Sequence, residues 1–416
     1  MKKIKFYFPD SHDFVDPSFD FKKETNNEYR VIQRDDKYAH EIFSSPVYDG
    51  ILVSKAIVEG LSGVKGRYSV AQRQRFFREG IYRFFRLPRS YETIGDCGAF
   101  SYVKEEEPPY TVEDVTEFYT NSGMTYGIAM DHIIFDYENE SVKTPKVVDE
   151  RLTECLRRKE LNLENASKFL KVSENEPFTP YGVAHGWNPT SYAESVNELQ
   201  TMGYSRIALG GMIPLKTRDI LDILKRVETV RNKKTQLHLL GINRLEYITE
   251  FYKYGVTSFD STSPLMQGLK DEKFNYHTPT HKYTSIAVPQ VDANNTMRKL
   301  VASGTVSQEE AFKLEKQCLD LINKFDKGLV SKEETLNSLC EYEKLYLKNA
   351  HLKSRRELMD KVLTDAPWKS CPCEICQDIG IHVILKRAAA RNRRRGFHNL
   401  YNAYNTISKE LEKISE

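Results

Sequence analysis

A chain of 416 residues is long enough for one large domain with an appendage, or for two domains. Its 61 basic and 59 acidic side chains leave a formal charge of +2, which excludes a wholesale polycation, so any nucleic-acid contact must come from local patches. Seven cysteines do not form the paired framework of a secreted protein, and nowhere do about 18 apolar residues follow one another; the expected setting is reducing, soluble and cytoplasmic, with no membrane partner.

From the N-terminus onward, short apolar runs bounded by turn residues alternate with longer helical patterns, which points to repeated strand-helix units around a parallel sheet. The predicted strands are KFYFP (5–9), GILVSK (50–55), ETIGDCGAF (92–100), YGIAMD (126–131), YGVAHG (181–186), RIALGG (206–211), QLHLLG (236–241) and TSFDS (257–261). Eight strands close a (β/α)8 barrel, so the predicted fold class is α/β and the architecture a TIM barrel. Between the strands, SVAQRQRFFREGIYRFF, TVEDVTEFYTNSG, SYAESVNELQTMG, TRDILDILKRVETV and NRLEYITEFYKYG repeat apolar residues at intervals of three or four, often with Gly following. The spacing before Asp96 is irregular, and the first two strands rest on the weakest pattern.

After Pro264 the alternation stops. Residues 265–290 are polar with scattered aromatics and read as loop. Ser307 with Glu310 and Ser331 with Glu334 make capping-box pairs, which predict helices over 307–326 and 331–349. This charged insertion is either a solvated helical pair packed on the barrel or a grip on substrate. The expected division is therefore a catalytic barrel over 1–264, a loop and helical insertion over 265–366, and a metal-binding subdomain with a C-terminal helix over 367–416.

The metal-binding reading rests on Cys371, Cys373, Cys376 and His398. One tight turn supplies three thiolates and a later His closes the shell, a set that suits tetrahedral zinc. Four protein ligands leave no open position, so one structural zinc per chain is expected and catalysis belongs elsewhere. A chance cluster or a disulfide pair is the alternative.

Polar residues also gather at the C-terminal ends of the predicted strands: Asp96, Asp131, His185, Gly210 with Gly211, and Asp260. In such barrels that rim carries the active site, because the loops leading to the helices converge there. Any one of these carboxylates can be a helix N-cap. Three of them at corresponding positions, beside a Gly-Gly, favour a shared pocket. Separated carboxylates around one pocket suit displacement at an anomeric carbon, one attacking while another handles protons.

Taken in order, these segments resemble the tRNA-guanine transglycosylases and their DNA-acting relatives, the DNA 7-deazaguanine transglycosylases. GDCGAF is similar to the family's Asp-Ser-Gly-Gly-Phe segment and AMDHI to its Asp-Glu-Cys segment. ALGGM and HLLG are similar to its Gly-Gly-Leu and Leu-Met-Gly segments, SFDSTSP to its nucleophile segment Phe-Asp-Cys-Val-x-Pro, and CPCEIC with HN to its zinc motif. The likeness runs from about Tyr91 to Pro264 and resumes from Cys371 to about Tyr404. It implies that Asp260 attacks the sugar's anomeric carbon and that Asp96 is the general acid and base, its pKa set by desolvation and neighbouring carboxylates. The resemblance makes Asp131 the acceptor for the base's donor edge, lays Phe100 against the base face, and lets Gly210 and Gly211 offer backbone groups. Met212, Leu240, His185 and Lys216 complete the implied base-binding set.

The chain departs from the tRNA-acting pattern at two of these positions. His185 stands where those enzymes carry Gln, and Lys216 where they carry a Glu that helps accept an aminomethyl base. Lys there would oppose a cationic substituent, which implies a neutral incoming base such as 7-cyano-7-deazaguanine; alternatively Lys216 points into solvent. The N-terminal segment FYFPDSHDFVDPSFDF and the run PVYDGILVSK look more like the DNA-acting branch, and a base inside a duplex must be extruded before its sugar can be attacked. DNA and a 7-deazaguanine base are thus the implied partners, with tRNA the alternative polymer and a homodimer or a strand-opening helper protein also in keeping with the family. Lys386, Arg387, Arg391, Arg393, Arg394 and Arg395 read as a positive surface for phosphates, or else as a solvated helix face. A non-catalytic nucleic-acid-binding subunit would have no need of Asp96 and Asp260. A zinc module fused to an unrelated barrel would have no reason for the ordered rim residues.

Overall fold

The structure, a computed structural model, describes residues 4–10, 12–61, 64–138, 150–347 and 349–415. Residues 1–3 and 11 of the N-terminal segment, and residue 348 near the end of the predicted 331–349 helix, lie outside the described residues. Two compact units form, and neither is continuous in sequence: one comprises Met1–His12, Tyr48–Thr262 and Ile407–Glu416, the other Asp13–Val47 and Ser263–Thr406.

The first unit holds the barrel. Its strands are β1 (Lys5–Pro9), β2 (Gly50–Ser54), β3 (Glu92–Asp96), β4 (Tyr126–Ile128), β5 (Thr179–Ala184), β6 (Arg206–Leu209), β7 (Gln236–Leu239) and β8 (Val256–Asp260). Each pairs in parallel with its neighbours, and β1 closes the ring between β8 and β2, with Tyr7 opposite Asp260 and opposite Gly50. All eight predicted strands are present. Several stop early: β3 ends at Asp96 because Gly98 turns the chain with φ 87°, and β4 ends at Ile128, leaving residues 129–131 as irregular rim. These early stops put side chains where loops, not sheet, set their direction.

Around the ring stand α1 (Val70–Phe84), α2 (Val112–Ser122), α3 (Glu150–Val172), α4 (Pro189–Met202), α5 (Thr217–Glu228) and α6 (Ile248–Lys253). Reciprocal capping boxes start α1 at Ser69, α2 at Thr111 and α4 at Asn188. Among the described residues no α-helix joins β1 to β2, since residues 13–47 belong to the second unit, and this accounts for the irregular spacing before Asp96. The barrel interior is polar at its lower end: Glu92 accepts from Lys5 and Tyr7, and the Arg206 guanidinium lies 4.7 Å from the Tyr126 ring centre and donates to Tyr181 at 3.1 Å.

In the second unit, residues 265–290 are not the loop that their polarity suggests. They contain α7 (Ser263–Lys270), an antiparallel pair (Tyr276–His277 with Lys282–Tyr283), and Ile286–Ala287 paired with Leu385–Lys386. The helix packs closely through Leu265 and Gly268 against Gly396: a Cβ on Gly268 would stand 2.5 Å from Gly396 Cα. Then follow α8 (Asn295–Ala302), α9 (Gln308–Asp326), α10 (Lys332–Lys344), α11 (Asn349–Asp365), α12 (Glu374–Ile379) and α13 (Ala388–Ser415). The last residues of α13, from Ile407, fall in the first unit. Ser307 and Ser331 cap α9 and α10 as expected, accepting from the Glu310 and Glu334 amides, whereas α10 ends at Lys344, short of 349.

Candidate active site and metal cluster

The C-terminal rim of the barrel gathers the three predicted carboxylates. Strand register sets Ser54 beside Asp96, and the Ser54 hydroxyl donates to Asp96 Oδ2 at 2.7 Å. Ligand atoms of Asp96, Cys97 and Asp131 all lie within 4.8 Å of one another. Burial first, and then the charge of Asp131, push the Asp96 carboxyl up to about 7; Ser54 opposes the rise and Asp260 adds to it. A carboxyl in that range can both give and take a proton near neutrality.

Asp131 is held on both oxygens. His185 Nε2 lies 2.7 Å from Oδ2, and the Cys97 thiol donates to Oδ1 at 3.2 Å. Burial raises the Cys97 pKa well above the ordinary thiol value, so it stays a neutral donor. The Tyr102 hydroxyl stands 3.0 Å from Cys97 Sγ and 2.9 Å from the Asp131 carbonyl, fixing both. His185 reaches Asp131 only because residue 210 is glycine, since a Cβ there would sit 2.5 Å from the imidazole Cε1. The Gly-Gly pair therefore has a steric reason, and Tyr192 locks it by donating to the Gly210 carbonyl at 2.7 Å.

Asp260, at the end of β8, accepts from the Gly241 amide at 2.9 Å and lies 3.1 Å from His238 Nε2, both through Oδ1. Phe100 is 56% exposed on the turn after β3, its ring 5.5 Å from that of Phe135, itself 39% exposed. Met212 is fully buried, Leu240 half-buried, and Lys216 exposed at the N-terminus of α5 with no side-chain capping bond. Sequence reasoning missed Ser54, Cys97, Tyr102, Phe135 and His238. Only Cys97 carried a usable signal, its position beside Asp96; the others are ordinary strand or loop residues until the barrel closes.

The basic run does not form the expected positive surface, because most of its arginines are buried and satisfied by protein acceptors instead of facing phosphates. Arg387, Arg391, Arg394 and Arg395 are buried and their donors are spent inside the second unit. Arg387 pairs with Glu24 and with Glu315, Arg391 with Glu24, and Arg394 with the Asp16 carbonyl. Arg395 donates to the carbonyls of Gly268 and Leu385 at 3.1 and 2.9 Å, Arg393 to that of Phe14 at 2.7 Å, and Lys386 pairs with Glu272. Arg387, Arg391, Arg393 and Arg394 bind residues 14–24 to the start of α13 and the residue before it, because a buried guanidinium must find acceptors. Arg391→Gln is expected to cost about 1.5–3 kcal/mol of stability by removing one of the two guanidinium partners of Glu24, the other being Arg387. The salt slope of any nucleic-acid binding should not change, whereas loss of a phosphate contact would reduce it by about 0.7–0.9; a salt titration with melting curves checks both.

Cys371, Cys373, Cys376 and His398 converge as predicted, all four buried and unpaired by disulfides. Their sulfurs stand 3.6, 3.4 and 3.3 Å from His398 Nδ1. Zinc bonds of ~2.3 Å to sulfur and ~2.05 Å to nitrogen give a tetrahedral edge of ~3.6 Å, so the set fits one metal ion. His398 Nε2 donates to the His277 carbonyl at 2.7 Å, leaving Nδ1 free to bind metal, and Tyr276 stacks on the ring at 4.0 Å. Nearby, Glu374 accepts from the Ser44 amide at 2.8 Å and Tyr401 stacks on Phe43 at 5.3 Å. Cys373→Ser is expected to lower metal content and melting temperature together; full metal occupancy in that variant would contradict its role as a ligand.

A closed parallel barrel with carboxylates converging at its C-terminal rim, in a chain that also carries a Cys3His cluster, has the architecture of a barrel enzyme. The chain is 49% identical over 417 residues, covering 100% of its length and 99% of the relative's, to a DNA-guanine transglycosylase of Salmonella montevideo. It is also 29% identical over 85 residues, 20% of its length and 23% of the relative's, to a queuine tRNA-ribosyltransferase of Chlamydia pneumoniae. No family profile matches it. The chain belongs to the guanine transglycosylase family, pentosyltransferases that exchange a base at an N-glycosidic bond. No helix among the described residues is long and apolar enough to cross a membrane.

Proposed function

We propose that the protein replaces guanine in DNA with a 7-deazaguanine base through a covalent bond between Asp260 and deoxyribose. The observation that carries this reading is the placement of the three carboxylates on one rim, with Asp96 raised toward neutrality by burial and by both of the others. Asp260 attacks C1′ as the bond to the base nitrogen breaks; the electron pair leaves with guanine, which takes the Asp96 proton. Asp96 then removes the ring proton of the incoming base, whose nitrogen attacks C1′ and returns Asp260 to carboxylate. One glycosidic bond replaces another, so no nucleotide triphosphate is consumed.

Asp131, its orientation fixed by His185 and Cys97, accepts the base's N–H edge, while Phe100 and Phe135 offer exposed rings to an extruded purine. DNA is favoured because the full-length relative is named for it. Arg67, Arg78, Arg83 and Arg89 support a polyanionic partner, being exposed within residues 67–89, where seven arginines meet the single acid Glu79. Zinc is the metal proposed for the Cys3His set, where it would hold the 371–398 segment together. A neutral 7-substituent, as in 7-cyano-7-deazaguanine, is favoured by Lys216 standing where an acid would welcome an amine.

The test incubates the purified protein with labelled guanine and, separately, duplex DNA, single-stranded DNA and tRNA. Label should enter DNA; label in tRNA alone overturns the DNA reading. Side-by-side incorporation of nitrile and aminomethyl bases decides the substituent, and preference for the amine rejects the neutral base.

A further inference from the structure

Behind Asp260, inside the barrel, lie two buried residues, the first positions of the HLLG and SFDSTSP segments, to which the sequence assigns no role. His238 is 0% exposed and Ser258 3%. The His238 ring bridges them to the carboxylate, with Nδ1 2.9 Å from Ser258 Oγ and Nε2 3.1 Å from Asp260 Oδ1. The Gly241 amide donates to the same Oδ1 at 2.9 Å, while Oδ2 is hydrogen-bonded to no described residue. We propose that His238 is a positioning residue for the exchange: together with the Gly241 amide it pins Oδ1, so that Oδ2 is the oxygen that bonds to the sugar. This inference rests on the reading of Asp260 as nucleophile.

A carboxylate oxygen accepts and Nε2 donates to it; with its hydrogen on Nε2, the ring's Nδ1 is placed to accept from the Ser258 hydroxyl. Ser258 thereby selects the tautomer. The ring is also walled in, its centre 6.0 Å from that of Tyr7 and 6.2 Å from that of Tyr181. As Oδ2 gives its electron pair to C1′ and the base leaves, Oδ1 becomes the ester carbonyl and keeps both donors. When the incoming base attacks C1′ and the C1′–Oδ2 bond breaks, negative charge returns to a carboxylate whose other oxygen already faces two fixed N–H groups. Donors aimed at developing charge in a water-poor site are among the larger catalytic terms.

Three variants test the assignment in the full-length, metal-loaded protein, with rates of covalent adduct formation and turnover measured beside steady-state exchange. His238→Phe keeps the ring and loses the donor; kcat should fall about 10²-fold, with KM for DNA within about threefold of wild type. His238→Gln restores a side-chain N–H and should recover part of the loss. Ser258→Ala frees the tautomer and should cost about tenfold, the adduct both forming and resolving more slowly. A merely structural role predicts instead a lowered melting temperature, kcat and KM moving together, and no rescue by Gln; that pattern overturns the proposal. Asp260→Asn is run alongside. If it is inactive while His238→Phe keeps the wild-type kcat, only the His238 assignment falls; if it exchanges normally, both fall. Should His238→Phe fail to fold, wild-type kcat in both His238→Gln and Ser258→Ala overturns the assignment.

Discussion

Asp260→Asn is expected to abolish guanine exchange, by about 10⁴-fold or more, while the protein still folds and binds DNA. The substitution is close to isosteric. The Asn carbonyl can take the place of Oδ1, accepting from the Gly241 amide at the 2.9 Å now observed and from His238 at 3.1 Å, so the melting temperature should stay within about 2 °C of wild type. What is lost is the second oxygen and the charge: a neutral amide nitrogen does not attack an acetal carbon. Wild-type protein given guanine-containing DNA without an acceptor base should leave a protein-DNA adduct that survives denaturing electrophoresis. The variant should leave none. Unchanged exchange in the variant would remove Asp260 from the chemistry and, with it, the covalent route.

How much of this was legible in the chain follows from the range of each signal. The barrel could be read because each strand is a short apolar run whose limits are set locally, and the ligands Cys371, Cys373 and Cys376 because one turn carries all three. The placement of Asp96, Asp131 and Asp260 on one rim was legible because strand ends and rim coincide in this fold. Ser54 and His238 were not, since their roles arise only from cross-strand register, Ser54 opposite Asp96 and His238 opposite Ser258. The arginine run misled for a related reason. Charge in sequence says nothing of depth, and Glu24, which draws Arg387 and Arg391 inward, lies more than three hundred residues away in the chain. α7 was hidden because it is short and its buried side is only Pro264, Leu265 and Gly268, too few positions to stand out from the polar residues that follow.

Asp96→Asn should be inactive and, at alkaline pH, more stable than the wild type. The folded protein holds the Asp96 proton up to about pH 7, whereas the unfolded chain releases it near the ordinary value of 3.8. Because the folded state binds the extra proton across that window, wild-type stability falls as pH rises from about 4 to 7, and the deficit is complete above it. At about 1.4 kcal/mol per pH unit the linked loss is about 4 kcal/mol. Asn carries no such proton and can still accept from Ser54, so the stability difference between variant and wild type should be near zero at pH 4 and favour the variant at pH 8. Chemical denaturation at the two pH values measures it. A difference that does not change with pH would mean that Asp96 does not titrate in this range. If Asp96 is the acid and base of the proposed exchange, guanine release uses its acid form and should slow above about pH 7 while entry of the new base uses the carboxylate, so the exchange rate of the wild type should be bell-shaped around that value.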